Sequence, residues 1–409
     1  MLFDIELINC GPFKEKAKLS MIPYSYGGKL DNLCKDTKGN HVLNTSILYG
    51  KNSAGKTSFV KTLWALVNEV RYPSTPNARL LIYSPFKLDT ETKEAPSELT
   101  LRFSLSTNVY TYHIKFDSHE YIYETLNVTS ENGNTEMLFE RNGLSKSEHQ
   151  VEFTPRGKMG VQKLPYVSRN NLVISQYKQY PGDEISLVAN YIANIQVTNG
   201  YKPEMSKLLW EDVRTWITNN RTENGNRLAY FLHALDISVE GFTIPGKPDS
   251  SFDDITFRHR LYANGIPTED RYVQFDITME SQGTKWLLLL GAKIIESLEN
   301  GYTLIIDEID ASFHFLATKF IIQLFKDPVI NKHNAQLILT THNINLMDEK
   351  ELRKDQIWFI EKDTKGVSEL YSLSEFDGVD EDVHFSEWYL AKRFGGIPTM
   401  GTIRELFKS

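Results

Sequence analysis

The sequence is poor in cysteine. Two residues in 409 positions, Cys10 and Cys34, exclude a disulfide scaffold and a cysteine-built zinc site. Long apolar runs are also missing. The longest, Trp286 to Ile295, is interrupted by Gly291 and Lys293 and falls short of the ~20 apolar residues a spanning helix needs. No membrane partner is therefore expected. Met1 to Glu6 carry early carboxylates and no basic stretch, so no signal peptide is expected and the reducing cytoplasm is the natural compartment. Positive charge is not in excess. With 45 Lys and Arg against 53 Asp and Glu, the net charge is −8, which argues against coating nucleic acid through bulk charge and leaves only a local basic groove. Heptad runs, internal repeats and low-complexity tracts are absent, which excludes an extended coiled coil.

What is present is core-forming material. Hydrophobic residues make up 41% and aromatics 12%, with 24% charged, so a wholly disordered chain is excluded. At ~150 residues per domain, the length predicts two or three structural units. Leu2 to Ile8 and Ala17 to Met21 read as a hairpin around Gly11-Pro12, and 23–41 as a loop. Ser46 to Tyr49 is a short buried strand, followed by a helix to Val70 with Phe59, Val60, Leu63, Leu66 and Val67 on one face. Residues 98–128 alternate as a β-meander, clearest where Tyr110, Tyr112, Ile114 and Phe116 interleave with Thr111, His113 and Lys115. The stretch 183–235 reads as helical, with Leu208, Val213, Trp216 and Ile217 in one stripe; strands resume from 237 to 278. The last third alternates helix and strand: helices over Thr284 to Leu298 and Ser312 to Phe325, strands over Tyr302 to Ile306 and Gln336 to Thr340, then a pair over 357–361 and 369–373. That is the pattern of a parallel sheet covered by helices.

Gly50-Lys51-Asn52-Ser53-Ala54-Gly55-Lys56-Thr57 matches G-x-x-x-x-G-K-[ST], with Ser58 opening the helix behind it. The glycines let the backbone curl so that its N–H groups face phosphates, and the helix N-terminus adds its dipole. Lys56 reaches the β- and γ-phosphates and the Thr57 hydroxyl is placed for Mg²⁺. A second site is read from Leu304-Ile305-Ile306-Asp307-Glu308, an apolar strand ending in acids. Asp307 suits Mg²⁺ and Glu308 suits a general base that polarises the attacking water, with Asp310 adding a third charge. Glu280-Ser281-Gln282-Gly283-Thr284 stands directly before an apolar helix and forms a second anion cradle, which points to the ATP of another subunit, held in trans. Thr340-Thr341-His342-Asn343 closes a buried strand, placing His342 at the same sheet edge, where it could orient the attacking water.

In this order the motifs resemble the ABC-type ATPases, and more closely their SMC-like branch with its OLD-type proteins. Closer still are the stand-alone prokaryotic "AAA family" ATPases of the RloA/AbiL type and the AriA subunit of PARIS phage defence. Leu2 to Asn9 with Pro12-Phe13, Pro85 to Leu88, Asp307 to Ser312, Asp355 to Phe359 and Tyr389 to Pro398 carry the likeness beyond the motifs. The resemblance implies an α/β fold: a P-loop NTPase of ABC/SMC-like type, a mixed-sheet head with an antiparallel β subdomain and a short helical arm. It implies a division into 1–170, the N-terminal half of the head, 171–245, the helical insertion, and 246–409, the C-terminal half. Gly50 to Ser58 become the Walker A segment, Asp307-Glu308 the Walker B segment, Ser281 to Thr284 the signature and Asp310 the D-loop residue. Residues 85–88 stand roughly where a Q-loop glutamine would be and contain none, and the signature is Ser-Gln-Gly rather than the transporter type. ATP and Mg²⁺ are the implied cofactors. The implied partners are a second copy through the heads, or a higher homo-oligomer, and a separate effector, a nuclease, in antiphage defence. The competing reading is a repair or recombination ATPase acting directly on nucleic acid through Lys and Arg at 202, 207, 214, 221 and 227.

Overall fold

The computed structural model describes the chain except at residues 26, 76, 144–150, 158–166, 179, 181, 200–202, 236, 238, 245–250, 312–313, 380–382 and 398–409. Lys202, Ser312 and Pro398 of the sequence reading lie outside the described residues, and the side chains of Lys207 and Leu208 are likewise not described.

In chain order, β1 (Leu2–Ile8) and β2 (Ala17–Ser20) form the opening hairpin, and β3 (Leu33–Lys35) and β4 (His41–Leu43) a small second one. Then β5 (Thr45–Tyr49) leads into α1 (Lys56–Arg71). The meander is β6 (Ser97–Leu105), β7 (Asn108–Phe116), β8 (Tyr121–Thr129), β9 (Thr135–Asn142) and β10 (Val151–Phe153). It is followed by α2 (Val173–Tyr177), α3 (Glu184–Ala193), β11 (Gln196–Asn199), α4 (Pro203–Asn219) and α5 (Arg221–Ala234). Three strands, β12 (Gly241–Thr243), β13 (Thr256–Ala263) and β14 (Ile266–Asp276), precede α6 (Gln282–Asn300). The chain continues through β15 (Thr303–Asp307), α7 (Phe315–Lys326), β16 (Gln336–Thr340), β17 (Ile357–Lys362), β18 (Ser368–Ser372) and α8 (Phe385–Leu390).

Two large sheets result. The first is antiparallel, in the order β10-β9-β8-β7-β6-β1-β2; the second runs β11-β15-β16-β5-β17-β18 and is parallel up to β17, with β18 antiparallel at its edge. The central strands of the second sheet are buried along their whole length, as apolar runs covered on both faces must be. Their side chains alternate between two cores. Ile305, Ile338 and Leu48 join α1, α3 and the meander; Ile306, Leu339 and Ile47 join α4 to α7. Helices α5 and α6 touch so closely that a Cβ on Gly291 would stand 2.6 Å from Phe231 Cδ1. The P-loop NTPase fold expected from the sequence is the one observed: a strand, the glycine loop, a helix, and a mixed α/β head.

The helical reading of 183–235 is corrected at one place. Residues 196–199 form β11, which pairs in parallel with β15. Four residues carry too little periodicity to announce a strand, and here the neighbouring strand supplies the order. The loop reading of 23–41 likewise missed the β3–β4 hairpin. The helix predicted from Ser312 starts at Phe315, where His314 is the N-cap and its ring accepts from the Leu316 amide.

Candidate functional site

Strands β5, β15 and β16 lie side by side and end at one sheet edge in Tyr49, Asp307 and Thr340. Ligands of open parallel sheets sit outside such an edge. Gly50 follows Tyr49 at once, and the loop to Gly55 is held from behind. A Cβ on Gly50 would meet the Ile360 carbonyl at 2.5 Å, and one on Gly55 (φ 127°) would meet Pro12 Cγ at 2.7 Å. The opening hairpin and β17 therefore leave room there only for glycine. The Lys51 ammonium donates to the Lys362 carbonyl at 3.0 Å, and the Ser368 hydroxyl donates to the Ala54 carbonyl. Ser53 is in the left-handed region (φ 63°) and, with Asn52, is exposed at the loop tip. Lys56 is buried and donates to the Gly50 carbonyl at 2.8 Å, while Thr57 and Ser58 are half-buried at the start of α1.

The acids face this loop. The Thr340 hydroxyl donates to Asp307 Oδ1 at 2.6 Å and accepts from the Glu308 amide at 2.8 Å, so one threonine ties both acids to the end of β16. Glu308 has φ 51°, a strained backbone for a residue with a Cβ, of a kind that clusters at active sites. Asp310 Oδ2 accepts from the His342 amide at 3.1 Å. Three oxygens at this edge are buried without a partner among the described residues: Asp307 Oδ2, Asp310 Oδ1 and the Tyr49 hydroxyl. Other buried side-chain atoms among the described residues also lack a partner, but here two of them are carboxylate oxygens beside Lys56, and paired carboxylate oxygens are the donors a divalent cation takes.

Charges respond accordingly. Burial lowers the Lys56 ammonium from its ordinary value, while Asp307, Glu308 and Asp310 pull it back up. His342 is lowered, first by burial and next by Lys56, against the same three acids, which favours the neutral ring. Burial, then Asp310, pushes the Tyr49 phenol well up. Residues far apart in sequence thus share one electrostatic environment.

The structure brings Gly50 to Ser58, Asp307, Glu308, Asp310 and His342 to one edge. It does not bring the signature there. Ser281 is the N-cap of α6, its Oγ accepting from the Thr284 amide at 3.0 Å, with Ser281 and Gln282 exposed and Gly283 half-buried. No hydrogen bond or ion pair among the described residues joins 281–284 to 50–58. Sequence reasoning missed Thr340, although a threonine closing an apolar strand beside the acids was a usable signal. It also missed Asn9, whose side chain accepts from the Phe86 amide at 2.9 Å and donates to the Thr92 and Ala95 carbonyls at 3.0 Å, fixing the 85–95 segment beside the hairpin. Nothing in the sequence pointed to that asparagine.

The profile of a family described as "AAA domain, putative AbiEii toxin, Type IV TA system" matches residues 46–348. Among solved structures the chain is similar to the SMC head domain from Thermotoga maritima, with 11% identity over 91% of this chain and 98% of that one and a TM-score of 0.44. It is also similar to the recombination mediator RecF of the RecFOR pathway with ATP, at 16% identity over 90% of this chain and 97% of that one, TM-score 0.33. No curated protein matches.

Proposed function

The chain belongs to the AAA-domain family whose profile spans residues 46–348, and from that membership we propose an ATPase of the ABC/SMC-like type, switched by pairing of two heads, that controls a separate effector. The observation that carries this reading is the set of unpartnered buried oxygens of Asp307 and Asp310 facing the Lys56 loop.

The N–H groups of Gly50 to Ser58 and the Lys56 ammonium hold the β- and γ-phosphates. Lys56 must leave the Gly50 carbonyl to do so, exchanging a neutral acceptor for a charged one. Asp307 and Thr57 suit Mg²⁺, since Asp307 Oδ2 is a buried anionic oxygen with an open valence. Bound there, the metal supplies charge neutralisation at the phosphate oxygens. Glu308 takes the proton of the attacking water, and the neutral His342 ring orients that water. The start of α6, with Ser281 and Gln282 exposed at its tip, meets the γ-phosphate of the partner copy through Ser281 to Thr284, with Asp310 at the junction of the two heads.

ATP bound at both surfaces stabilises the closed pair, and hydrolysis opens it. The switch is as strong as the difference in ATP affinity between the two states. In the RloA/AbiL and AriA type that the motifs resemble, such a head answers infection by releasing a nuclease. A chain without nuclease motifs of its own fits that role.

Mixing tests the pairing. Lys56→Ala and Ser281→Ala copies, each inactive alone, regain part of the turnover together, because one composite pocket in the mixed pair is intact. No recovery at any ratio overturns the pairing. Defence conferred by the chain alone, or cutting of nucleic acid by the purified chain, overturns the separate effector. The alternative, direct action on nucleic acid, needs a cationic surface. Arg221 donates to the Ile244 carbonyl and Arg227 pairs with Glu223 and Glu299, so these guanidiniums are engaged within the chain. Binding of DNA that falls steeply with salt would favour the alternative.

A further inference from the structure

The opposite edge of the parallel sheet holds a second polar cavity, at the far end of α1. The 16 residues of that helix, about 24 Å at 1.5 Å per residue, separate it from the phosphate loop. Its volume is about 300 Å³, at the lower end of the range for small-molecule sites.

Its charges do not balance. Three cations line it, Arg71, Lys178 and Lys293, against two carboxylates, Asp212 and Glu296. Lys293 is almost fully buried, with its ammonium 3.1 Å from Glu296 and 3.4 Å from Asp212 Oδ2. Arg71 uses the same Asp212 oxygen, also at 3.4 Å, and donates from Nε to the Ala193 carbonyl at 2.6 Å. Arg71 Nη2 also donates to the Ile195 carbonyl at 3.4 Å, and one oxygen of each carboxylate is thus taken by a cation. The Lys178 ammonium has no partner among the described residues, and it faces a like charge: burial first, and Arg71 second, hold it below the ordinary lysine value. Half-buried Asn194 and exposed Asn219 also line the cavity, and their side chains make no hydrogen bond with described residues.

An excess positive charge beside unpaired donors, partly withdrawn from water, is unfavourable until an anion completes it. Arginine and lysine together with amide donors suit phosphate oxygens. The cavity exceeds a bare phosphate, and Trp216 supplies an aromatic wall. We propose that it binds a phosphomonoester of mononucleotide size, with the phosphate on Lys178 and Arg71, Asn194 and Asn219 donating to it, and the ring against Trp216. Nothing in this assignment depends on the pairing of heads.

Calorimetry on the full chain carrying Lys56→Ala, which disables the phosphate loop, tests it with AMP and with inorganic phosphate. AMP binds saturably at one site per chain, phosphate more weakly and in competition with it. Lys178→Gln weakens AMP by about 10–100-fold, as loss of a charged hydrogen bond does. Asn219→Asp, at the exposed end of α4, weakens it by repulsion and keeps the test open if Lys178→Gln misfolds. Absence of saturable binding, or AMP affinity unchanged in both variants, overturns the site. Phosphate binding as tight as AMP overturns the mononucleotide assignment.

Discussion

Two buried carboxylates of this molecule live under opposite terms. In the meander, Glu124 and Arg141 are both fully buried and pair at 2.7 Å. Glu124 also accepts from the Tyr112 hydroxyl at 2.9 Å and the Val173 amide at 2.9 Å, and Arg141 donates to the Asn171 carbonyl at 2.8 Å. Burial pushes the Glu124 carboxyl up, and Arg141 leads the forces that pull it back. Among the described residues, every polar atom of the pair's side chains has a partner except Arg141 Nε. At the strand edge, Asp307 is equally buried, yet Thr340 satisfies one oxygen and no described residue satisfies the other. Burying a carboxylate is costly unless partners answer it. The closed site satisfies its charge within the fold, and the open one leaves a buried carboxylate oxygen unpartnered among the described residues, as the proposed metal site requires.

If that contrast is right, substitutions at the two sites separate turnover from stability. Glu308→Gln should lower ATP turnover about 10²–10⁴-fold, the usual worth of a general base, while leaving the urea midpoint where it was and accumulating an ATP-bound closed pair. Normal hydrolysis by that variant would move the base to another residue. Arg141→Ala should do the reverse. It strands a buried carboxylate, at about 3–5 kcal/mol of stability, with ATP affinity of the folded protein unchanged. A small shift in the urea midpoint would mean that water enters and the site is not closed. Between them stands Thr340→Val, which removes the donor to Asp307 and the acceptor of the Glu308 amide. A loss of about 1–3 kcal/mol is expected, and turnover should fall with it because both acids lose their tether. Full turnover at reduced stability would make the threonine purely structural.

The same contrast explains what was legible in the sequence. The phosphate loop could be read because glycine is demanded by sterics at Gly50 and Gly55, and those two demands lie close together in one short string. Asp307 and Glu308 could be read because burying β15 forces its polar residues to the end of the strand. The P-loop fold followed from those two facts and the apolar runs around them. Asn9 was not legible, since it acts through partners more than seventy positions away; Thr340 left a trace, closing an apolar strand, but the acid it ties lies more than thirty positions away and the tie itself could not be read. β11 was hidden for the same reason, because its strand character comes from β15 alongside it. The Glu124–Arg141 pair gave no signal, as its two residues look like any surface ion pair until the sheet closes over them.

The smallest expected effect probes the open site most directly. His342 sits below its ordinary pKa, with burial the first cause, Lys56 the second, and Asp310, Glu308 and Asp307 opposing. Removing a positive neighbour favours the protonated ring, so Lys56→Met should raise the His342 titration midpoint, read by NMR of the ring in the nucleotide-free protein. Removing a negative neighbour acts in the other direction, so Asp310→Asn should lower it. The signs are opposite because the ring lies in the field of both groups, and neither substitution removes a contact to the ring itself. Midpoints that stay fixed in both variants would place His342 outside that field, and its role in orienting water at Glu308 would lose its physical basis.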